Sequence, residues 1–417
     1  MVPLAALVLT ASAHAVPAQT GPSAARQVLT TVAAPVRKEA PANPAKLTVY
    51  GFLRNDVEHD SSLPDNPVFP LFIRSRSTYV NPTRSLVFSP RATRLGADLA
   101  KTKLELLGQS DVSGKVEIDF LNIEAQSIFA ESRQVPRIRH AFVRMDWAES
   151  YLLAGQSFDV ISPLIPTANN ITLMWLAGNT GDRRPQLQLG WTPHQDGDGQ
   201  WSFVGSAGEA GAAENMRDAT IALPGSPLQP LQGADTGRPI WQGRVGYATT
   251  WHGRKDKLQL GVWGHKSGQQ RDLPIAGKRT FDSHSLGFDY QLPAADWLTL
   301  RGEYWAGADL GDVRGGVGQS LNPVTGREIE SSGGWEELLF HVNKRYTLGF
   351  GHSEDHPGMR DVPAGGRIHN GTYTMFHRLR VGSRTELGLD LNRWETHFNG
   401  LAPGLDQRVS VFVQQNF

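Results

Sequence analysis

The chain has 417 residues, of which 41 are Lys or Arg and 41 are Asp or Glu, so its formal net charge at pH 7 is zero, and it contains no cysteine. The balanced charge argues against a nucleic-acid binder, which needs a concentrated basic surface, and the lack of cysteine excludes disulfide scaffolds, thiolate zinc sites and cysteine nucleophiles. A hydrophobic content of 39% with 9% aromatic residues is too apolar for a disordered chain, and the length suits either two or three domains or one large barrel.

The first 45 residues are predicted to be an export signal followed by a linker. Leu4–Leu9 form a short apolar stretch, and Ala13 and Ala15 place small residues at the positions that determine signal cleavage. No Lys or Arg precedes the apolar stretch, so a mobile alanine-rich tail stays open as the alternative. Residues 16–45 are rich in Ala, Pro, Ser, Thr and Gln and bury too little surface to offset their ordering entropy. The sequence therefore divides into a signal peptide (1–15), a disordered linker (16–45) and a folded domain (46–417).

From Leu47 to the end of the chain, apolar and polar residues alternate with a period of two, which is typical of β-strands with one apolar face. Many runs exceed the about 5–6 residues of an ordinary strand and are long enough to cross a bilayer at a tilt. The predicted strands are residues 47–58, 92–109, 114–125, 136–147, 150–160, 184–193, 199–208, 240–252, 257–268, 280–293, 296–308, 334–343, 345–353, 367–381, 383–397 and 406–417.

Short turns alternate with long loops along the folded domain, as an outer-membrane barrel requires. The longest uncharged run, residues 160–181, contains Pro163 and Pro166, so it is not predicted to be a transmembrane helix. We predict an all-β fold: a 16-stranded antiparallel transmembrane β-barrel in the bacterial outer membrane, with short periplasmic turns and long extracellular loops. Strand counts of 14 or 18 stay open. The long loops are predicted at residues 59–91, 126–135, 161–183, 209–239, 269–279, 309–333, 354–366 and 398–405.

The chain ends in an alternating apolar strand, Val409–Phe417, with a terminal aromatic residue. This end resembles the C-terminal strand of Gram-negative outer-membrane proteins, which the barrel-assembly machinery reads. Gln415 departs from the pattern, because an apolar residue is expected two positions before the end. The resemblance makes the barrel-assembly machinery an expected partner through Phe417. Outer-membrane lipid is expected to surround the barrel.

Three short stretches resemble the trimeric porins of Gram-negative bacteria, in particular the DcaP-like porins. They are Thr93–Gly96, Arg139–Phe142 and Leu153–Gln156. The resemblance covers residues 47–190 by motif and the remainder by architecture alone. It implies sixteen strands, a homotrimer, and a third loop that folds into the pore.

The loop at residues 161–183 is the predicted constriction of the pore. Its apolar run Leu173–Leu176 would be unfavourable in water and is expected to pack against the inner wall. Guanidinium groups bind carboxylate and phosphate groups well, so the predicted function is passive diffusion of small hydrophilic solutes, with a modest preference for small anions. A stacking surface for sugars that includes Trp175 is the alternative within the porin class. The predicted pore-lining and constriction residues are Arg94, Arg137, Arg139, Arg144, Asp182, Arg183, Arg301, Glu303 and Trp175.

The sequence gives little support for catalysis, and no enzyme activity, cofactor or metal site is predicted. There is no G-x-S-x-G elbow, and the local pairs His284-Ser285 and His352-Ser353 stand in no catalytic motif. The segment from His352 to His356 is the densest histidine cluster, and we interpret it as a solvated loop rather than a zinc or calcium site. Two other classes stay open: a secreted or periplasmic β-sandwich that binds or hydrolyses glycans, and a barrel enzyme that acts on lipid.

Overall fold

A computed structural model describes residues 46–79, 84–105, 108–121, 135–168, 171–195, 197–211, 236–254 and 256–417, without the side chains of 271–275. The predicted signal peptide, the linker and most of the predicted loop 126–135 lie outside the described residues. Within the described residues, no helix has the length and apolar character needed to span a membrane.

The described residues form seventeen antiparallel strands in one sheet. β2 and β3 both pair with β1, and from β3 onwards each strand pairs with the next along the chain. The first strand also pairs with the last, so the sheet closes into a barrel. The strands are β1 (Leu47–Asp60), β2 (Ser85–Ser89), β3 (Arg94–Leu104), β4 (Ser110–Asp119), β5 (Arg137–Asp146), β6 (Ser150–Phe158), β7 (Arg183–Trp191), β8 (Gln200–Gly208), β9 (Ile240–Thr250), β10 (Lys257–Ile275), β11 (Lys278–Ala295), β12 (Leu298–Ala308), β13 (Glu330–His341), β14 (Tyr346–Pro357), β15 (Arg367–Val381), β16 (Thr385–Phe398) and β17 (Leu401–Asn416).

Strands β2 and β3 are two halves of one barrel strand, so the described barrel has sixteen strand positions, as predicted. Both halves pair with β1, β2 through Asp56–Asp60 and β3 through Leu47–Phe52. The break falls at Pro90, which has no N–H to donate to a ladder and whose carbonyl accepts the Thr93 N–H in a turn. The prediction that residues 59–91 form one loop is therefore wrong at β2.

The loops all leave one end of the barrel, which we call the loop end, and the turns leave the other, the turn end. Two predicted long loops, 269–279 and 398–405, are instead tight hairpins. Ala276 and Gly277 have φ of 49° and 80°, and Gly400 follows Asn399 with φ of 78°, the positive values that two-residue hairpins need. The loops are L1 (61–84), L2 (120–136), L3 (159–182), L4 (209–239), L5 (276–277), L6 (309–329), L7 (358–366) and L8 (399–400).

The two faces of the barrel have inverted polarity compared with a soluble sheet protein. On β17, Val409, Val411 and Val413 are 36–47% exposed on the outer face, whereas Arg408 and Ser410 are 4% and 0% exposed on the inner face. A soluble sandwich buries its apolar face and exposes its polar one. The closed sheet with apolar residues outside excludes the β-sandwich and is the arrangement of a transmembrane barrel.

Aromatic pairs mark the turn end of the outer face. Trp191, Trp201 and Trp297 are 45–56% exposed, and each lies within 6.0 Å of another ring, measured between centroids. Girdles of this kind sit at membrane–water interfaces in outer-membrane barrels. The described barrel therefore has an apolar belt bounded by aromatic rings at the turn end.

Candidate pore and its constriction

Loop L3 folds into the barrel and is held against the wall formed by β12 and β13. The Leu164 N–H donates to Glu303 Oε1 at 2.7 Å, and the Thr167 N–H donates to Glu337 Oε1 at 2.8 Å. Ser162 Oγ donates to the other oxygen of Glu303. Charge-assisted hydrogen bonds of this kind are stronger than neutral ones, so two buried carboxylates hold the first half of the loop.

Two arginines hold the loop from the same side. Arg301 donates to the Ile165 carbonyl at 2.9 Å and also pairs with Glu337 at 2.9 Å. Arg378 donates to the Thr167 carbonyl at 2.6 Å. The structure therefore places Arg301 and the fully buried Glu303 at the contact between wall and loop. Neither lines the cavity of about 750 Å³ between L3 and the turn end of the barrel, which we call the main cavity.

The apolar run of L3 is buried, as predicted. Met174, Trp175 and Leu176 are 1%, 2% and 3% exposed, and Trp175 packs with Phe69 of L1 and Val317 of L6. The left-handed backbone of Met174 and Leu176, with φ of 60° and 61°, costs about 1–2 kcal/mol per residue. The burial of three large side chains offsets this cost.

The second half of L3 is tied to L6 by buried ion pairs. Arg184 is fully buried and bridges Asp159 Oδ1 at 2.6 Å and Asp312 Oδ2 at 3.0 Å. Asp182 pairs with Arg314 at 2.6 Å. Since Asp182 is bound in this way and is 7% exposed, it lies at the seam between two loops and outside the lining of the main cavity.

A cavity of about 750 Å³ runs from L3 to the turn end of the barrel. Its lining is strongly cationic: eight arginines and one lysine face it, against two carboxylates. The cations are Arg54, Arg94, Arg137, Arg139, Arg183, Lys344, Arg345, Arg378 and Arg380, and the acids are Asp296 and Glu386. Five of these cations are not among the predicted pore-lining residues: Arg54, Lys344, Arg345, Arg378 and Arg380. Arg54 nevertheless stands in the inward alternation Arg54, Asp56, Glu58, Asp60.

Four of the predicted residues, Arg94, Arg137, Arg139 and Arg183, meet on one side of this cavity. Two carboxylates from β4 form ion pairs with three of these guanidinium groups. Asp119 accepts from Arg137 at 2.8 Å and from Arg139 at 2.6 Å, and Glu117 accepts from Arg139 at 2.8 Å and lies 3.5 Å from Arg94. The guanidinium groups thus outnumber the carboxylates that orient them.

Of these four arginines, Arg183 has the weakest interactions with carboxylates. Its side chain is 4% exposed, and its nearest paired carboxylate oxygen, of Asp182, lies 4.0 Å away. Its Nε and Nη1 are buried without a hydrogen-bond partner in the described residues. The group contributes positive charge to the cavity wall, and its carboxylate partner is shared with Arg314.

The remaining predicted residues, Trp175 and Arg144, lie beside this group. Trp175 touches the cavity but is 2% exposed, with the guanidinium carbons of Arg314 and Arg183 at 4.8 and 5.5 Å from its ring centroid. Its ring is therefore a packing element, and almost none of its surface is open to a solute. Arg144 lines a separate cavity of about 380 Å³ beside Arg94 and lies over the Tyr151 ring at 3.7 Å.

The serines of the two local serine–histidine pairs contact other residues: Ser353 Oγ lies 2.9 Å from Oγ1 of Thr372, and Ser285 contacts a different histidine. Ser285 Oγ lies 2.6 Å from Nδ1 of His265, and Ser283 Oγ lies 2.9 Å from Nε2 of the same ring. Both nitrogens of this buried imidazole are engaged by hydroxyls. The arrangement lacks the carboxylate that orients the base of a catalytic triad.

No family model and no curated protein matches this sequence. Solved structures do match in fold. The outer membrane channel DcaP of Acinetobacter baumannii is 15% identical, with a TM-score of 0.69 over 89% of this chain and 97% of that one. An anion-selective porin from Comamonas acidovorans is 11% identical, with a TM-score of 0.52 over 90% of this chain and 100% of that one.

OprB of Pseudomonas putida is 11% identical, with a TM-score of 0.53 over 89% of this chain and 94% of that one. All three cover nearly the whole described barrel. The fold of this chain is therefore that of Gram-negative outer-membrane channels. The predicted likeness to DcaP is confirmed at the level of the fold.

Proposed function

We propose that this protein is an outer-membrane porin through which small hydrophilic solutes diffuse passively, with a preference for anions. The observation that carries the proposal is the lining of the main cavity, where nine cationic side chains face two carboxylates. The inserted L3 narrows the path beside this surface. The similar Comamonas porin is described as anion-selective, which supports the same direction of charge preference.

Fixed cationic side chains act on a passing anion through the local potential. A water-filled path between low-dielectric walls concentrates the field of its lining charges. Several binding positions of moderate strength let an anion enter without trapping it. The carboxylates of Glu117 and Asp119 hold the arginine side chains in place, so little ordering is needed when a solute passes.

Reversal potentials in a planar bilayer test this proposal. With the purified protein in a KCl gradient, we expect a potential of the sign that chloride permeation gives. A reversal potential that indicates cation selectivity would refute the anion preference, whereas absence of conductance would refute the porin itself. The Arg360→Ala variant is the matched control, because this arginine lies in L7 with its side chain 71% exposed and does not line the cavity.

The remaining parts of the proposal concern export and assembly. We propose that residues 1–15 are a signal peptide, that 16–45 are a linker, and that Phe417 engages the barrel-assembly machinery. Phe417 is 49% exposed and donates its N–H to the Gly51 carbonyl at 3.1 Å, which closes the last strand onto the first.

We also propose that the protein is a homotrimer. One similar structure, OmpT of Vibrio cholerae, is described in a trimer form. Light scattering in detergent measures the number of chains, and we expect three.

A further inference from the structure

A cluster of histidines and glutamates lies on the outer face of the barrel, close to the loop end. Its members alternate with the inward-facing Ser353 and Asn370, which are fully buried, so they project outwards. His369 is directly opposite His397, and Gly371 is opposite both Glu354 and Glu395. The cluster therefore has two rows across β14, β15 and β16: His356, His369 and His397, and below them Glu354, Gly371 and Glu395.

The side chains of these two rows converge on His369. Its ring centroid lies 4.4 Å from that of His356 and 5.2 Å from that of His397. The potential ligand atoms of Glu354, His356 and His369 all lie within 4.8 Å of one another, and the same holds for His369, Glu395 and His397. Both groups of three share His369, so its imidazole is the centre of the cluster.

Gly371 leaves the space in which these groups meet. A Cβ at this position would lie 3.2 Å from Nε2 of His369 and 2.7 Å from the Ser353 carbonyl oxygen. The imidazole therefore lies over the glycine, between the two glutamates. A larger residue here would displace the ring from the carboxylates.

We propose that this cluster binds a divalent transition-metal ion, with Zn²⁺ as the type case. Imidazole nitrogen and carboxylate oxygen are the ligands that such ions prefer. Two donors at about 2.1 Å from one zinc ion lie at most about 4.2 Å apart, so the donor atoms need only small side-chain rotations to close on an ion. Because both groups share His369, one ion binds per chain.

The charge of the cluster favours a cation over an anionic lipid group. Two carboxylates lie among the imidazoles, and both would repel an anionic phosphate. The nearest competing cation is Arg393, whose guanidinium lies 3.8 Å from Glu395 with its side chain 69% exposed. An ion pair this exposed contributes little to stability, and Arg393 moves away when a metal ion binds.

The position on the barrel keeps the cluster accessible to ions in water. The side chains of His356 and Glu354 are 46% and 40% exposed. Beyond His352 and Arg393, further towards the turn end, outward residues of the same strands are apolar, with Phe350 43% and Leu391 37% exposed. The metal site thus lies at the loop-end border of the apolar belt and would link three neighbouring strands.

Calorimetric titration of the full-length folded protein with Zn²⁺, in detergent and excess Mg²⁺, tests the proposal. We expect saturable binding of one ion per chain, and affinity weakened at least about tenfold by His369→Ala. His397→Ala is expected to weaken binding less, because the group of Glu354, His356 and His369 remains. His284→Ala is the matched control: this histidine is also exposed on the outer face, on β11.

The possible results separate the metal site from general metal adsorption. Visible absorption of bound Co²⁺ gives a second readout, since it reports nitrogen and oxygen coordination independently of heat. Circular dichroism confirms that each variant retains its strands. Absence of saturable binding by the unmodified chain, or binding that His369→Ala leaves unchanged, would overturn the proposal. Equal losses in the His369 and His284 variants would also overturn it.

Discussion

The two sides of the barrel lumen use the same residue type in opposite ways. On the side of β4 and β5, Arg137 and Arg139 face the cavity and are oriented from behind by carboxylates. On the side of β12 and β13, Arg301 donates a hydrogen bond to L3 and forms an ion pair with Glu337. An inward-facing arginine therefore lines the cavity or supports a loop, according to whether L3 covers it.

The largest effect is expected when the supporting side is broken. Glu337→Ala removes the acceptor of the Thr167 and Ala168 N–H groups and the partner of Arg301. Each lost charged hydrogen bond costs about 1.5–3 kcal/mol, so L3 should detach from the wall. We expect single-channel conductance to rise clearly and its noise to increase.

The neighbouring variant Glu336→Ala is the control for this change. Glu336 lies on the outer face of the same strand, where it accepts a hydrogen bond from the Tyr304 hydroxyl at 2.8 Å. It makes no described contact with L3, so conductance should stay unchanged. Equal conductance of the Glu337 variant and the unmodified protein would contradict the role assigned to the wall carboxylates.

A smaller effect is expected on charge selectivity, and it should differ between the two sides of the lumen. Arg183→Gln removes a cavity-facing charge that has no carboxylate within hydrogen-bonding distance, so the anion preference should fall, by roughly twofold in permeability ratio. Arg301→Gln should shift the permeability ratio less, because this side chain lies beneath L3 and does not line the cavity. Reversal potentials of the two variants measure the difference. Equal shifts in both variants would show that burial beneath L3 does not determine whether an arginine affects charge selectivity.

The smallest effect is a pH dependence of L6, which supports L3 from the loop end. Burial raises the pKa of Asp309 to about 8. A raised carboxyl pKa means that the folded state holds the proton more tightly than the unfolded state. The stability it contributes is therefore complete below the ordinary pKa of 3.8 and is lost progressively as pH rises from there to about 8. We expect tryptic cleavage after Arg327, whose side chain is 64% exposed, to be faster at pH 9 than at pH 7.

Asp309→Asn supplies the comparison for this measurement. The amide cannot ionise, so the variant should lack the extra susceptibility to cleavage at high pH after correction for the pH dependence of trypsin. An increase that is the same in both proteins would assign the effect to another group.

The period-two alternation predicted the strands well because it reflects a constraint that acts along the whole chain. The observed β15, Arg367–Val381, has the predicted bounds. The missed strand β2 has five residues next to a proline, too short for a pattern to stand out. The two overpredicted loops are hairpins whose turns, at Gly277 and Gly400, extend strands beyond the apolar alternation.

The candidate pore was only partly predictable. Alternation identified inward side chains such as Arg94 and Arg139, and the cavity lining contains both. It could not show that Arg301 and Glu303 lie beneath L3, because that depends on where a loop more than a hundred residues away docks. Trp175 was expected to line the pore, and the packing of L1, L3 and L6 buries its ring instead.

The sequence by itself determined the long strands with one apolar and one polar face, and it predicted the burial of the apolar run of L3. These properties follow from local alternation and from the cost of exposing apolar side chains. Only the tertiary structure decided that the sheet closes into a barrel with its apolar face outwards, which arginines line the cavity and which histidines meet on the outer face. Leu164 and Glu303 are 139 residues apart, and contacts at that separation exist only once the barrel has closed around its loop.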